Sequence, residues 1–229
     1  MQIQVLGDAD EVAAEAARFI AREGRGAVAA RGRFIFAMSG GKTPWQMLRL
    51  LADEDVPWER VYLAQVDERV APPGDPDRNL THLHESLLRQ VQLPPEQVCA
   101  MPVDSPDLAA AARQYALRLQ EIAGTPPVLD LVHLGLGADG HTASLVPGDP
   151  VLEVSDADVA LTRPYQGRQR MTLTFPALNR ARRILWVVTG AEKAGMLRRL
   201  RDGDVGIPAG FVRRDQALVF ADSVASTKL

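Results

Sequence analysis

Two short runs constrain the fold more than anything else in this chain. LDLVHL (Leu129–Leu134) and ILWVV (Ile184–Val188) are apolar almost throughout. A strand with one wet face alternates apolar and polar side chains, whereas a strand with no polar face needs cover on both sides. These two therefore read as central strands of a parallel sheet. Further β-rich runs fall at Ile3–Leu6, Phe34–Met38, Val61–Val66, Met171–Thr174 and Ala217–Phe220, by period and by the Gly and Pro that bound them. Helical periodicity separates most of them, at Glu11–Arg22, Pro44–Ala52, Leu80–Gln90, Leu108–Ile122 and Glu192–Leu200. Strands alternating with helices predict an α/β fold with a largely parallel sheet and helices on both faces. The Pro-rich segments are too short for interdomain linkers and no internal repeat is visible, so one domain over residues 1–229 is expected.

Composition removes several classes of partner. The formal net charge is -3, with 24% charged and 46% hydrophobic residues among 229, so no chain-wide basic field exists to hold nucleic acid or an anionic membrane surface. A lone cysteine, Cys99, makes neither an intramolecular disulfide nor a Cys-x-x-Cys metal pair. A reducing, cytoplasmic setting is expected. The N-terminus MQIQVLGDAD lacks the basic start and apolar run of a secretory signal, and no stretch approaches the roughly 18 apolar residues of a membrane span.

The chemistry gathers where strands end. After Phe34–Met38 comes SGGKTP, with Thr43 expected as N-cap and Pro44 as first helical residue. Paired glycines at a helix N-terminus let backbone N–H groups converge on an anion, although they also make a tight turn with no ligand at all. The Gly41-Lys42-Thr43 triplet is not a nucleotide P-loop, because position 36 holds Phe where that motif needs Gly. After the third strand, Asp67-Glu68-Arg69 and the downstream Asn79 fit ligand contacts at a strand's carboxyl end. Read alone, the acid-acid-base triplet fits surface ion pairs better than a ligand site.

Residues 135–148, GLGADGHTASLVPG, match G-x-G-x-x-G at Gly135, Gly137 and Gly140, with Asp156 near the spacing of a ribose-binding acid. A dinucleotide fingerprint must open a helix that crosses the sheet, and Pro147-Gly148 stops this one within two turns. His141 has a better explanation as a general base, with Asp139 two residues earlier to hold one tautomer. The plainer alternative is a loop histidine capping backbone groups. His133 falls inside a strand and reads as a satisfied core residue, while His82 and His84 lie on different helix faces and make a poor metal pair. Further on, Lys193 stands after another apolar strand, in reach of an anion, Arg170 precedes its strand, and the arginines of RARR read as solvated.

Taken together, SGGKTP, VDERV with Asn79, GLGADGHTASLVPG, and RMTLTFPALNRA leading to TGAEK stand in the order and spacing of the 6-phosphogluconolactonases. From about Phe34 to the closing FADSVAS the chain resembles that family. The resemblance implies the fold of the sugar-phosphate deaminase/ribose-5-phosphate isomerase type, a Rossmann-like three-layer sandwich that binds no dinucleotide. It implies hydrolysis of 6-phospho-D-glucono-1,5-lactone to 6-phosphogluconate in the oxidative pentose phosphate pathway, by a monomer without metal or organic cofactor. It makes His141 the general base beside Asp139. Ser39, Gly40, Gly41 and Thr43 would cradle phosphate or sugar, Arg69 and Lys193 would supply positive charge, and Asp67, Asn79 and Arg170 would complete the substrate site. Arg78 departs from the Ser usual before this Asn, and Val146 from the Phe usual before Pro-Gly. Deaminases that resemble this chain end the histidine loop in Asn-Glu-Pro-Gly, where this chain has Leu145-Val146-Pro147-Gly148. That difference argues against a glucosamine-6-phosphate deaminase, and the presence of His141 argues against a non-catalytic sugar-phosphate sensor.

Overall fold

A computed structural model describes all 229 residues, Met1–Leu229. Its frame is a seven-stranded sheet built from β1 (Gln2–Leu6), β2 (Phe34–Met38), β3 (Val61–Gln65), β5 (Val98–Cys99), β6 (Leu131–Leu134), β9 (Arg183–Val188) and β10 (Ala217–Asp222). The order across the sheet is β1-β10-β9-β6-β2-β3-β5, and every neighbouring pair is parallel. Every residue of β2 and β6 is buried, as their lack of a polar face requires. Alternation within β2 feeds two cores. Phe34, Phe36 and Met38 pack on one face with Val12, Ile20, Met47 and Leu48 of α1 (Ala9–Arg31) and α2 (Lys42–Ala52). Ile35 and Ala37 face the other core, with Tyr115 and Leu119 of α4 (Leu108–Ala123) and Leu197 and Leu200 of α6 (Ala194–Asp202). The result is the expected three-layer α/β sandwich.

A second, three-stranded antiparallel sheet was not legible in the sequence. It joins β4 (Asp67–Arg69), β8 (Arg170–Leu173) and β7 (Val159–Leu161) in the order β4-β8-β7, with Asp67 opposite Thr172 and Arg69 opposite Arg170. This small sheet brings the two arginines into register across 101 residues of chain. Two short helices complete the fold, α3 (Asn79–Leu83), which widens into a π-helical turn over His84–Leu88, and α5 (Phe175–Asn179).

Three helical expectations need correction. The first helix runs from Ala9 to Arg31, beyond the expected Arg22, and passes through Gly24, where a Cβ would lie 3.1 Å from the Phe34 ring. Packing onto β2 outweighs glycine's weak helix propensity there. Asp8 caps its start by accepting from the Asp10 and Glu11 N–H groups at 3.0 and 2.9 Å. In α2, Gly41 occupies the cap and Lys42 begins the helix, because the Thr43 hydroxyl pairs with Thr189 Oγ1 at 2.7 Å instead of capping its own helix. Pro44 is thus third in the helix, still among positions whose N–H has no intrahelical partner. Residues 137–148 form turns with one isolated bridge, Thr142 to Leu145, and no helix.

Candidate active site

The sheet order reverses between β2 and β6. Strands β3 and β5 extend one way from that pair, and β9, β10 and β1 the other. Loops leaving the carboxyl ends of two such strands diverge to opposite faces and open a crevice between them. The loop after β2 begins at Ser39 and the loop after β6 at Gly135, so the expected phosphate turn and the expected histidine loop start side by side. Ser39 N–H donates to His133 Nδ1 at 3.3 Å and ties the two strands together at that point.

A cleft of about 560 Å³ opens there. Ten of the residues singled out in the sequence line it: Ser39, Gly40, Gly41, Thr43, Asp67, Arg69, Asn79, His141, Arg170 and Lys193. Asp139 stands behind His141. Its Oδ1 is 2.6 Å from His141 Nδ1 and also accepts the His141 backbone N–H at 3.1 Å. A carboxylate accepts from Nδ1–H, which assigns that tautomer and leaves the Nε2 lone pair without a protein partner. Burial would raise the Asp139 carboxyl pKa, but the hydrogen bonds and electrostatic attraction of His141 and the hydrogen bond from the Tyr165 hydroxyl outweigh it and hold it below the ordinary value. The pair fits only because residue 137 is glycine. A Cβ there would overlap the imidazole and lie 2.6 Å from Asp139 Oδ1.

The opposite wall is the N-terminus of α2. The first intrahelical bond, Trp45 N–H to Gly41 O at 2.9 Å, leaves the N–H groups before Pro44 without helical partners, and the helix dipole adds partial positive charge. Gly40 is pressed against Asn79 and Trp45, and a Cβ on it would overlap the Asn79 amide and sit 2.8 Å from the indole. Cations stand on both sides. Lys193, in a 3₁₀ turn over Ala191–Lys193, follows Gly190, whose N–H donates to both Asp222 oxygens at 3.0 and 3.2 Å. Arg69 Nη1 donates to Asn79 Oδ1 at 3.1 Å and to the Asp77 carbonyl at 2.8 Å. Arg170 is nearly buried. Burial lowers its pKa, the Asp67 carboxylate works against that shift, and the nearby Arg69 guanidinium adds to it. Neither Arg69 Nε nor Arg170 Nε has a hydrogen-bond partner. Two adjacent guanidinium groups lining the cleft suit a planar or tetrahedral anion.

The surface ion-pair alternative for Asp67-Glu68-Arg69 does not hold. Asp67 is buried and accepts from Ser144 Oγ at 2.6 Å. Glu68 is fully buried and accepts from the N–H groups of Arg69, Asn79 and Leu80 and from Gln65 Nε2, each at 2.8 Å. Its remaining neighbour is the buried Arg78, Nε at 3.9 Å. Glu68 thus fixes where α3 begins and with it Asn79. His133 is fully buried as expected but only half satisfied, because Nε2 has no partner, and burial drives its pKa down to about 3. The RARR arginines pair with Asp158, Asp130 and Glu23 away from the cleft.

Sequence reasoning missed Lys42, Thr189, Glu192 and Asp222 in the lining, and Glu68, Ser144 and Tyr165 around it. Asp222 carried a signal, an acid closing an apolar strand at its carboxyl end. No cluster of three or more His, Cys, Asp or Glu side chains is arranged to hold a metal ion, and no helix is long and apolar enough to cross a membrane.

Comparison with known proteins supplies the family. A family model described as glucosamine-6-phosphate isomerases/6-phosphogluconolactonase matches residues 7–220. The chain is 32% identical to a 6-phosphogluconolactonase of Nostoc, covering 99% of this chain and 98% of that one. It is 34% identical to the 6-phosphogluconolactonase of Mycobacterium tuberculosis, again over 99% and 98%. A crystal structure of 6-phosphogluconolactonase from Thermotoga maritima superposes with a TM-score of 0.87 at 27% identity, over 96% of this chain and 98% of that one. A monomeric glucosamine-6-phosphate deaminase shares the fold, TM-score 0.87, at 18% identity. The chain belongs to the glucosamine-6-phosphate isomerase/6-phosphogluconolactonase family.

Proposed function

We propose that this chain hydrolyses 6-phospho-D-glucono-1,5-lactone to 6-phospho-D-gluconate, the lactone-opening step of the oxidative pentose phosphate pathway. One observation carries the reading: an imidazole with a free Nε2, held by Asp139, shares a cleft with a helix N-terminus and several cations. The phosphate is gripped by the α2 terminus and its surrounding cations, which orients the ring so that C1 meets His141. Water attacks C1 while His141 Nε2 takes its proton. The tetrahedral oxyanion is met by cationic and N–H donors of the cleft wall. The C1–O5 bond then breaks, and the imidazolium returns its proton to the leaving ring oxygen. A positioned base contributes about 10²–10⁴-fold, and a lactone is already an activated ester. A single base in an ordered pocket is therefore sufficient.

Leu145 and Val146 occupy the places where similar deaminases carry Asn and Glu; both are buried, Leu145 within the apolar core. No acid from that position reaches His141, which supports lactone hydrolysis over ring opening and deamination. The same reading has the chain acting as a cytoplasmic monomer without metal or organic cofactor, and light scattering should then give one copy of 24.9 kDa.

The test is turnover of three compounds: 6-phosphogluconolactone generated in situ, unphosphorylated gluconolactone, and glucosamine-6-phosphate. Hydrolysis well above spontaneous opening is expected for the first, a much lower kcat/KM for the second and no ammonia from the third. Release of ammonia, or no acceleration of phospholactone opening, overturns the reading.

A further inference from the structure

We propose that Tyr165, at the tip of the β7–β8 hairpin, is a positioning residue that holds Asp139 against His141 and fixes the lie of Arg170. The inference rests on the reading of His141 as the base. The Tyr165 hydroxyl donates to Asp139 Oδ2 at 3.1 Å, the one carboxylate oxygen that His141 does not use. Its ring meets the imidazole edge-on, with centroids 5.8 Å apart and planes at 67°. The Arg170 guanidinium carbon lies 5.0 Å from the ring centroid, over its face. One side chain thus touches three residues of the cleft.

The local backbone is arranged around that side chain. Gln166 and Gly167 form a two-residue turn with φ of 53° and 80°, both in the left-handed region, as a hairpin turn of this hand requires. Tyr165 and Arg168 pair across it, the Tyr165 N–H donating to the Arg168 carbonyl at 2.9 Å. A glutamine rarely enters that region, and such a conformation persists only where the surroundings hold it. Here they do. Gln166 Nε2 donates to the Tyr165 hydroxyl and its Oε1 accepts from Arg170 Nη2, each at 3.4 Å. On the far side of the turn, Arg168 binds Asp75 and Asp77 at 3.2 and 3.0 Å, and the Asp77 carbonyl is the one that Arg69 engages. The hairpin tip is therefore moored to the cationic wall while its tyrosine reaches the catalytic pair.

The physical role follows from the carboxylate's freedom. The terminal torsion of an aspartate is broad and roughly two-fold, so an Asp139 held at one oxygen swings easily, and each swing loosens Nδ1 and turns Nε2 from its line. Engaging Oδ2 removes that motion. Burial first, and the Asp139 charge after it, raise the Tyr165 pKa, which keeps the hydroxyl a donor.

The experiment is a double-mutant cycle of Tyr165→Phe and Asp139→Asn, with Tyr165→Ala alongside, read by kcat and KM for the phospholactone and by the downfield His141 Nδ1–H proton resonance. Tyr165→Phe is expected to lower kcat about tenfold, the equivalent of one hydrogen bond to a charged group, with KM within twofold and the resonance broadened. Tyr165→Ala is expected to raise KM as well, because Arg170 loses its platform. In the Asp139→Asn background Tyr165→Phe should change nothing further. Wild-type kcat in Tyr165→Phe, or effects that multiply in the double variant, overturns the proposal, as does a fall in kcat that merely tracks a fall in Tm. If His141→Ala leaves turnover intact, the assignment of the base fails, while the resonance still reports independently whether Tyr165 orders the pair.

Discussion

Replacing Gly137 with Ala separates the placement of the imidazole from its presence. Gly137 does not have a positive φ, so alanine is not strained by the backbone, and the atoms its Cβ meets are the movable ends of His141 and Asp139. The chain should fold. The added methyl would lie 2.6 Å from Asp139 Oδ1 and overlap the imidazole, against 3.4 Å or more for ordinary contact. The Asp139–His141 pair must therefore give way by about 1 Å, and in a catalytic pair a misplacement of that size costs about 10²-fold in rate, or about 3 kcal/mol of barrier. Complete loss of a general base sets the ceiling, at about 10⁴-fold. The assay is phospholactone hydrolysis at saturating substrate, corrected for spontaneous opening, with Tm recorded beside it. A Gly137→Ala enzyme with unchanged Tm and kcat within about threefold of wild type would refute the claim that the aligned Asp139–His141 pair limits turnover.

Three further outcomes are expected. Gly40→Ala drives a methyl into Asn79 and Trp45 and should raise KM about tenfold or more with a smaller change in kcat, as lost ground-state binding does; an unchanged KM contradicts the phosphate-cradle assignment. Glu68→Ala leaves Arg78 and three backbone N–H groups without their buried acceptor and should destabilise the fold by about 3–5 kcal/mol, a drop of roughly 10 °C in Tm by calorimetry. Finally, His133 binds a proton at about pH 6.5 when unfolded but only at about pH 3 in the fold. The unfolded state takes up the proton first, so stability should fall as pH drops from about 6.5 toward 3, by on the order of 1 kcal/mol per pH unit. His133→Gln should flatten that slope in urea titrations, and an unaltered slope would assign the acid sensitivity elsewhere.

What the sequence disclosed and what it hid differ in physical kind. β2, β6 and β9 were legible because a strand covered on both faces must be apolar at nearly every position, a demand made by the strand's own residues. The glycine turn after β6 was legible for a similar reason, since Gly137 answers a steric demand from Asp139 and His141 within four residues, whereas much of the demand on Gly40 comes from the distant Asn79. The β4-β8-β7 sheet was hidden because Asp67, Glu68 and Arg69 are charged residues whose burial depends on partners far along the chain, Arg170 and Thr172 among them. Glu68 looked like surface charge. Its role depends on backbone N–H groups eleven and twelve residues later, which no spacing rule announces. Tyr165 left one trace, the Gln-Gly pair shortly before the β-rich run Met171–Thr174, a weak turn signal beside Asn-Gly. Thr43 was misplaced by two positions because its hydroxyl pairs with Thr189, a contact between loops 146 residues apart.

The central claim is that His141 removes the proton from the attacking water, and hydrolysis of 6-phosphogluconolactone by wild type and His141→Ala, each corrected for spontaneous opening, tests it most directly. The account predicts a fall in kcat of about 10²–10⁴-fold in the variant, with KM little changed because the phosphate grip is intact. Equal corrected rates would contradict it.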